Sequence, residues 1–320
     1  MDTPQAHTLR PPHFLATLLG HLSVLMALEA IAYALLVDYL LPTAVPLVRL
    51  AAFAGCYVAF RVLSVALLFG IAWIWRNKRS AAQSIGLRAT LRLFLAETSA
   101  FFRLYLGYHL LEPLLGTREP AKLTPGQRPI LFIHGFVCNG GYFTPLLRAL
   151  ARRGIVNLYT INCSPPFGNI DRFAAQVALR VESILAQTGA DQVILVGHSM
   201  GGLIARAYVQ KLGGAPKVAK IITLGTPHHG TAHAWFSHAP DARQMRPGNA
   251  WLNTLNGAPE AGVKTTSIYS LHDNIVAPQD NAHIDFGKNI VLIGIGHLEL
   301  SFAPAVQAAV YEELKSALHA

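Results

Sequence analysis

One short stretch of this sequence is built for nucleophilic chemistry. Gly197-His198-Ser199-Met200-Gly201 sets a serine between two glycines, directly after the apolar run Val193–Val196 and directly before Leu203–Tyr208, which reads as a helix. A G-x-S-x-G turn between a strand and a helix is the nucleophile-elbow pattern: the glycines tolerate the tight turn, and the serine hydroxyl stands above the sheet. A neutral hydroxyl is a poor nucleophile, so it needs a base, and the base needs a carboxylate to orient it.

Both partners are found at strand ends further along the chain. Asp273 follows TTSIYSL and His297 follows IVLIGIG, giving the order Ser, Asp, His that this arrangement uses. Ser199 is therefore read as the nucleophile, His297 as general base and then acid, and Asp273 as its orienting partner. With fourteen histidines present, the rivals need weighing. His228 and His229 lie in TPHHGT, His272 adjoins Asp273, and His283 lies in the next loop, while Asp280 and Asp285 sit farther from a strand end. A tetrahedral oxyanion also needs donors, expected from the backbone N–H of Met200 and, in ILFIHGFVCNGG, of Phe136. His134 either braces that loop or is a buried structural histidine. His198, His229, Trp235 and Phe236 are read as substrate contacts.

These residues need a scaffold of alternating strands and helices. Short apolar strands are expected at Ile130–Ile133, Ile155–Ile161, Val193–Val196, Ile221–Leu224, Thr266–Leu271 and Ile290–Ile293. Helices are expected at Tyr142–Arg153, Ile170–Gln187, Gly201–Leu212 and Phe302–Leu318. Such alternation implies an α/β fold, a mainly parallel sheet covered by helices on both faces, with ligands at the carboxyl ends of the strands. The stretch 231–262 is longer than an ordinary connection and reads either as a cap or as a packed excursion.

The front of the chain has a different character. In a chain of 320 residues, 52% are hydrophobic and only 13% charged, and the apolar excess lies before about residue 115. Phe14–Val37 and Ala51–Trp75 are each long enough to cross a hydrocarbon core of ~30 Å, so the two read as a helical hairpin. Trp73 and Trp75 mark an interface, and Arg76, Lys78 and Arg79 follow at once. The positive-inside rule then puts both ends in the cytoplasm, although Arg49 lies on the wrong side and the N-terminal flank offers only Arg10. A weak positive flank, a long apolar run and a second span argue against a cleaved signal peptide. Glu29 and Arg61 lie within the spans and are read as an interhelical ion pair or as snorkelling side chains in preference to a transport or relay site.

Ile85–Leu115 is apolar but carries Arg88, Arg92, Ser99 and Arg103 on one helical face. It reads as a helix lying along a membrane or packed on the catalytic domain, with a third span as the alternative. Thr117–Pro129 is the natural linker. The expected organisation is thus a transmembrane hairpin at 1–80, an amphipathic helix and linker at 81–128, and a catalytic domain at 129–320.

Taken together, HGFVCNGGYF, GHSMGG, TPHHGT, the run RPGNAWL from Arg246, SLHDNIVAP and GIGHLEL resemble the bacterial triacylglycerol lipase and esterase family of α/β hydrolases. The resemblance runs from about Pro129 to the C-terminus and excludes the hairpin. It implies an α/β-hydrolase fold and ester hydrolysis through an acyl-serine, with Ser199, Asp273 and His297 at the matching positions. Some members of the larger lipase branch bind a structural calcium near the catalytic histidine. Glu299 lies there without a convincing second carboxylate, so no metal and no cofactor are expected.

Three cysteines do not define a disulfide framework. Reduced thiols suit the cytoplasm, whereas a Cys138–Cys163 bridge would favour the periplasm. The net charge of +9 is spread along the chain without a compact basic motif, which fits an anionic membrane surface and not nucleic acid. The expectation is a carboxylic ester hydrolase of lipid or other acyl esters, anchored as a multi-pass protein in a bacterial inner membrane. An acyltransferase with the same triad is the alternative within enzymes. A catalytically silent membrane scaffold would explain the hairpin but not the triad elements.

Overall fold

A computed structural model describes residues 17–80, 83–115, 119–120, 123–258 and 262–318. The flank carrying Arg10 and parts of the expected linker lie outside the described residues.

The chain opens with two long helices, α1 (Leu18–Leu40) and α2 (Pro46–Trp75). Thr17 caps α1 by accepting the Gly20 N–H at 3.2 Å, and Pro46 starts α2, where its missing N–H has no helical partner to lose. Both helices are long and apolar enough to cross a membrane, with mean hydropathies of 1.8 and 2.0. Leu28, Leu35, Leu47, Leu63 and Leu67 are left outward and exposed, so neither helix is the buried core helix of a globular domain. Arg61 Nη1 donates to Glu29 Oε1 at 2.9 Å, and Nη2 pairs with Oε2, which joins the two helices as expected.

Helix α3 (Leu87–Arg103) runs into a π-helical turn at Leu104–Tyr108. Arg88, Arg92, Ser99 and Arg103 are exposed, while Leu93, Glu97 and Ala100 recur at helical spacing and are buried. The helix packs on the hydrolase fold by this face, while Leu87, Leu91 and Leu95 stay exposed on the other side. Phe94 meets Phe69 of α2 at 6.1 Å between ring centroids, and Ala100 and Leu104 join the core beneath the sheet. A short helix α4 (Glu112–Leu115) follows.

Six strands form one parallel sheet in the order β2-β1-β3-β4-β5-β6. They are β1 (Ile130–Ile133), β2 (Leu158–Ile161), β3 (Val193–His198), β4 (Val218–Leu224), β5 (Lys264–Ser270) and β6 (Lys288–Leu292). β1 and β3 are buried along their whole length, as expected of strands covered on both faces. β2 starts three residues later than the apolar run suggests, because the Gln127 side chain takes the Val156 N–H at 2.9 Å. β4 starts three residues earlier. Lys220 breaks the apolar pattern in sequence, yet it sits buried in the strand with its Nζ on Glu313 Oε2 at 2.6 Å.

Helices α5 (Thr144–Ala151) and α10 (Pro304–Lys315) cover one face together with α3. Helices α6 (Ile170–Thr188) and α7 (Met200–Lys211) cover the other. The single helix expected at Tyr142–Arg153 is a 3-10 turn at Gly140–Phe143 followed by α5, whose second residue is Pro145. Between β4 and β5 lie a 3-10 turn at Ala232–Phe236 and the short helices α8 (Pro240–Gln244) and α9 (Ala250–Asn256). Ala234, Met245, Leu252 and Leu255 tie that excursion into the core against α6 and α7.

Candidate active site

The residues proposed from sequence emerge at the carboxyl end of this sheet. β3 ends at His198, and Ser199 takes φ 54° and ψ −125° before α7 begins at Met200. Serine rarely adopts a positive φ, so its neighbours must hold it there. The Ser199 N–H donates to Leu224 O at 2.8 Å. The flanking glycines are needed for close approach: a Cβ on Gly201 would lie 2.0 Å from Ile133 O, and one on Gly197 2.4 Å from Gly202 N. Ser199 therefore stands at the N-terminus of α7, where helix N–H groups favour developing negative charge.

The loop after β1 passes close beside it. A Cβ on Gly135 would lie 2.8 Å from Ser199 Cβ, which puts the Phe136 segment next to the serine. His134 is buried, accepts the Cys163 N–H on Nε2 at 3.0 Å and faces Gly135 O with Nδ1 at 2.9 Å. It is thus both a buried histidine and a brace. Burial lowers its pKa, and this hydrogen-bond pair sets the neutral Nδ1–H tautomer.

His297 lies in the loop after β6, with Nδ1 on Asp273 Oδ2 at 2.7 Å. The Asp273 Oδ1 accepts the N–H groups of Ile275 and Val276 at 2.7 and 2.8 Å. Both residues are almost fully buried. Burial opposes a charge on His297, but the Asp273 carboxylate, its hydrogen bond and the charge of Glu97 outweigh this and raise the imidazole pKa. The rival groups are engaged elsewhere. Asp280 accepts from Asn77 Nδ2 at 2.7 Å, Asp285 faces His229 and His283 at 3.7 Å, and His272 Nδ1 accepts the Gly294 N–H at 3.2 Å. His228 is buried between Arg206 and Thr223.

His198 is stacked on Tyr142 at 3.9 Å, with its ring 4.6 Å from that of His297. It is 1% exposed, and burial followed by the His297 charge holds its pKa well below the usual range. It is a neutral wall behind the His297 imidazole. His229 is half-exposed on the loop after β4 with its N–H on Asn281 O at 2.9 Å. Trp235 and Phe236 are 53% and 71% exposed, and Arg246 lies over the Trp235 ring.

Several further groups around the site were given no role from the sequence. Asn274 Oδ1 takes the His297 N–H at 2.9 Å. Tyr105 donates to Val137 O at 3.3 Å, and Asn139 links by side-chain hydrogen bonds to His109 Nδ1 and O. Glu97 accepts from the turn beyond His297. A helical pattern over Ile85–Leu115 with a carboxylate on its apolar side was the available signal for Glu97. A cavity of about 1250 Å³ separates the end of α2 and the Arg76–Arg79 segment from α3, His272, Asp273 and Gln279. Cys138 and Cys163 are buried free thiols, and burial pushes each up to about 12. Glu299 accepts the Gly296 N–H at 3.3 Å, and among the described residues no three His, Cys, Asp or Glu side chains converge on a metal position.

Residues 128–254 match the family model described as the alpha/beta hydrolase fold, and the sheet and elbow fit it. The chain carries an α/β-hydrolase fold. Among solved structures, this hydrolase fold is similar to Aspergillus fumigatus lipase B, with a TM-score of 0.54 and 18% identity over 63% of this chain and 56% of that one. It is also similar to the mature form of a Bacillus licheniformis lipase, with a TM-score of 0.51 and 18% identity over 62% and 96%. In sequence, a triacylglycerol lipase of Pseudarthrobacter phenanthrenivorans is 48% identical over 62 residues, 19% of this chain and 18% of that protein. A triacylglycerol lipase of Vibrio cholerae is 34% identical over 116 residues, 35% and 36% of the two chains. This chain thus spans about a third or less of the length of those lipases. The α/β hydrolases it resembles are of lipase and esterase type.

Proposed function

We propose that this chain is a membrane-anchored serine carboxylic ester hydrolase. Residues 1–80 form the anchor, 81–128 the connecting helix and linker, and 129–320 the catalytic domain. The observation that carries the reading is the buried Asp273–His297 pair at 2.7 Å, at the same sheet end as a serine held in a left-handed elbow.

In the proposed cycle, Ser199 Oγ attacks the acyl carbonyl carbon while its proton passes to His297 Nε2. The carbonyl oxygen becomes an oxyanion, met by the N–H groups of Met200 and Phe136. Collapse breaks the ester C–O bond, and the His297 proton goes to the departing alcohol. Water then attacks the acyl-serine with His297 again as base, which releases the acid and restores Ser199. Asp273 holds the imidazole with Nε2 free for these transfers and stabilises its charged form.

The named activity of the sequence relatives supports lipid or other acyl esters as substrates. Two outward-facing apolar helices, with Trp73 and Trp75 at the end of α2 and Arg76, Lys78 and Arg79 just beyond, support attachment to a bacterial inner membrane with the catalytic domain on the cytoplasmic side. His229, Trp235 and Phe236 remain in the proposed substrate surroundings, whereas His198, buried against Tyr142 behind His297, has no surface left for the substrate contact expected of it.

The test is hydrolysis of short- and long-chain p-nitrophenyl esters by the full chain in detergent, with Ser199→Ala as control. Turnover and fluorophosphonate labelling by the wild type, both abolished in S199A, are expected. A folded wild type that neither turns over any ester nor labels overturns the proposal.

A further inference from the structure

Helix α3 precedes the hydrolase fold, yet it reaches into the site. Glu97 is 0% exposed, and its two carboxylate oxygens are spent on adjacent backbone groups. Oε1 accepts the Leu298 N–H at 3.0 Å, and Oε2 accepts the Glu299 N–H at 2.9 Å. Those two residues follow His297 directly and open the 3-10 turn Leu298–Ser301, so Glu97 caps the turn that carries the catalytic imidazole. The fit is close: a Cβ on Gly296 would lie 2.3 Å from Glu97 Oε2. A residue with a side chain before His297 would push the carboxylate out.

We propose that Glu97 is a positioning residue for His297: it fixes the histidine turn through two backbone hydrogen bonds and places a second negative charge beside the imidazole. The inference rests on the ester-hydrolase reading for its catalytic consequence, but its link to His297 is a property of the fold. An ion buried without a countercharge is expensive, and most carboxylates avoid such a position. Burial raises the Glu97 pKa to about 7, against the pull of the Leu298 and Glu299 N–H groups. Each oxygen accepts from a backbone N–H group, an arrangement that favours the ionised form. The charged and titratable groups facing it are His297 and Asp273 from the strand-end loops, Glu299 in the same turn, Tyr105 from the π turn and Tyr142 beneath His198. Of these, His297 is the one whose charge Glu97 favours. The region connecting the hairpin to the hydrolase fold thus completes the catalytic histidine's setting, and the site depends on the docking of α3.

Two isolated changes separate the two effects. Glu97→Gln keeps the shape but removes the charge, and its amide NH2 confronts one of the two N–H donors. Glu97→Asp keeps the charge but is one methylene too short to hold both. In the full chain in detergent, with folding checked by thermal melt, E97Q is expected to lower kcat roughly 10- to 100-fold, the scale of losing charge-assisted hydrogen bonds. KM should stay within about twofold, and the acidic limb of kcat/KM should move to lower pH, since His297 loses a charge that raises its pKa. The limb should also become less steep, because Glu97 no longer titrates alongside His297. E97D is expected to lower kcat with the limb in place.

The His297 titration, followed by NMR of the protein carrying labelled histidine and assigned with His297→Asn, reads the same link without any substrate. An inactive wild type would sink the hydrolase reading, while a lower His297 midpoint in E97Q would still support the positioning role. A His297 midpoint and kcat unchanged in folded E97Q would overturn the proposal.

Discussion

Asp273 divides its carboxylate between two tasks: Oδ2 holds His297 Nδ1 at 2.7 Å, and Oδ1 holds the backbone N–H groups of Ile275 and Val276. The second task fixes the direction of the first, since rotation of the carboxylate would break two backbone hydrogen bonds. In Asp273→Asn an amide must satisfy three donors with one oxygen, so either the turn or the imidazole tautomer is lost. We expect kcat on p-nitrophenyl esters to fall on the order of 10³- to 10⁴-fold, the scale seen when a triad carboxylate is neutralised.

The sign of the pH dependence follows from His297. As the proposed general base it must be neutral to accept the serine proton, and although burial works against its charge, Asp273 and Glu97 raise its pKa above the ordinary histidine value. Activity should therefore be lost as pH falls through a midpoint above about 6.5. A kcat/KM profile of the wild type with a midpoint below that value would contradict the arrangement.

Gly201→Ala tests the elbow apart from the triad. The new Cβ would meet Ile133 O at 2.0 Å, and both partners are backbone inside a packed sheet and helix, so neither yields easily. We expect fluorophosphonate labelling of Ser199 to fall at least tenfold, with destabilisation of about 1–3 kcal/mol or more. Near-normal labelling in this variant would mean that the elbow has more room than its geometry gives it.

The elements of the candidate site were legible in sequence because each is local: a glycine–serine turn needs its own neighbours, and Asp273 and His297 each follow shortly after an apolar strand. The parallel sheet was legible for the same reason, through runs such as Val193–Val196. What escaped was set by partners far along the chain. Lys220 is buried in β4 with its charge on Glu313, 93 residues later, and the Gln127 side chain takes the Val156 N–H just before β2. Glu97 lies 201 residues from Leu298, and nothing in the amphipathic pattern of α3 tells which turn its buried carboxylate will cap.

That Lys220–Glu313 pair makes a prediction for stability. Burial by itself would raise the Glu313 pKa, but hydrogen bonds from Lys220, Lys288 and Thr266 outweigh it and bring it down to about 2. A carboxyl depressed in the folded state stabilises above its unfolded pKa and loses that contribution as pH falls from about 4.5 towards 2. Glu313→Gln should flatten the acid limb of the melting temperature over this range. At neutral pH it should cost about 3–5 kcal/mol, because Lys220 is left buried without its countercharge.

The last prediction concerns Phe236, which is 71% exposed on the turn after Thr231. This turn packs on α2 through Ala232, Ala72 and Ala277, so it is fixed beside the proposed membrane anchor, and an outward aromatic ring there has an apolar surface to meet. Phe236→Ser removes a side chain whose burial is worth about 1.5–3 kcal/mol, and a ring engaged by the bilayer or an acyl chain would forfeit most of that. Turnover of long-chain esters in lipid vesicles should drop about tenfold, whereas short soluble esters, which need no such surface, should be turned over within about twofold of the wild-type rate. Equal losses on both substrates would put Phe236 among the groups that shape the site itself, and no loss on either would remove it from the substrate path.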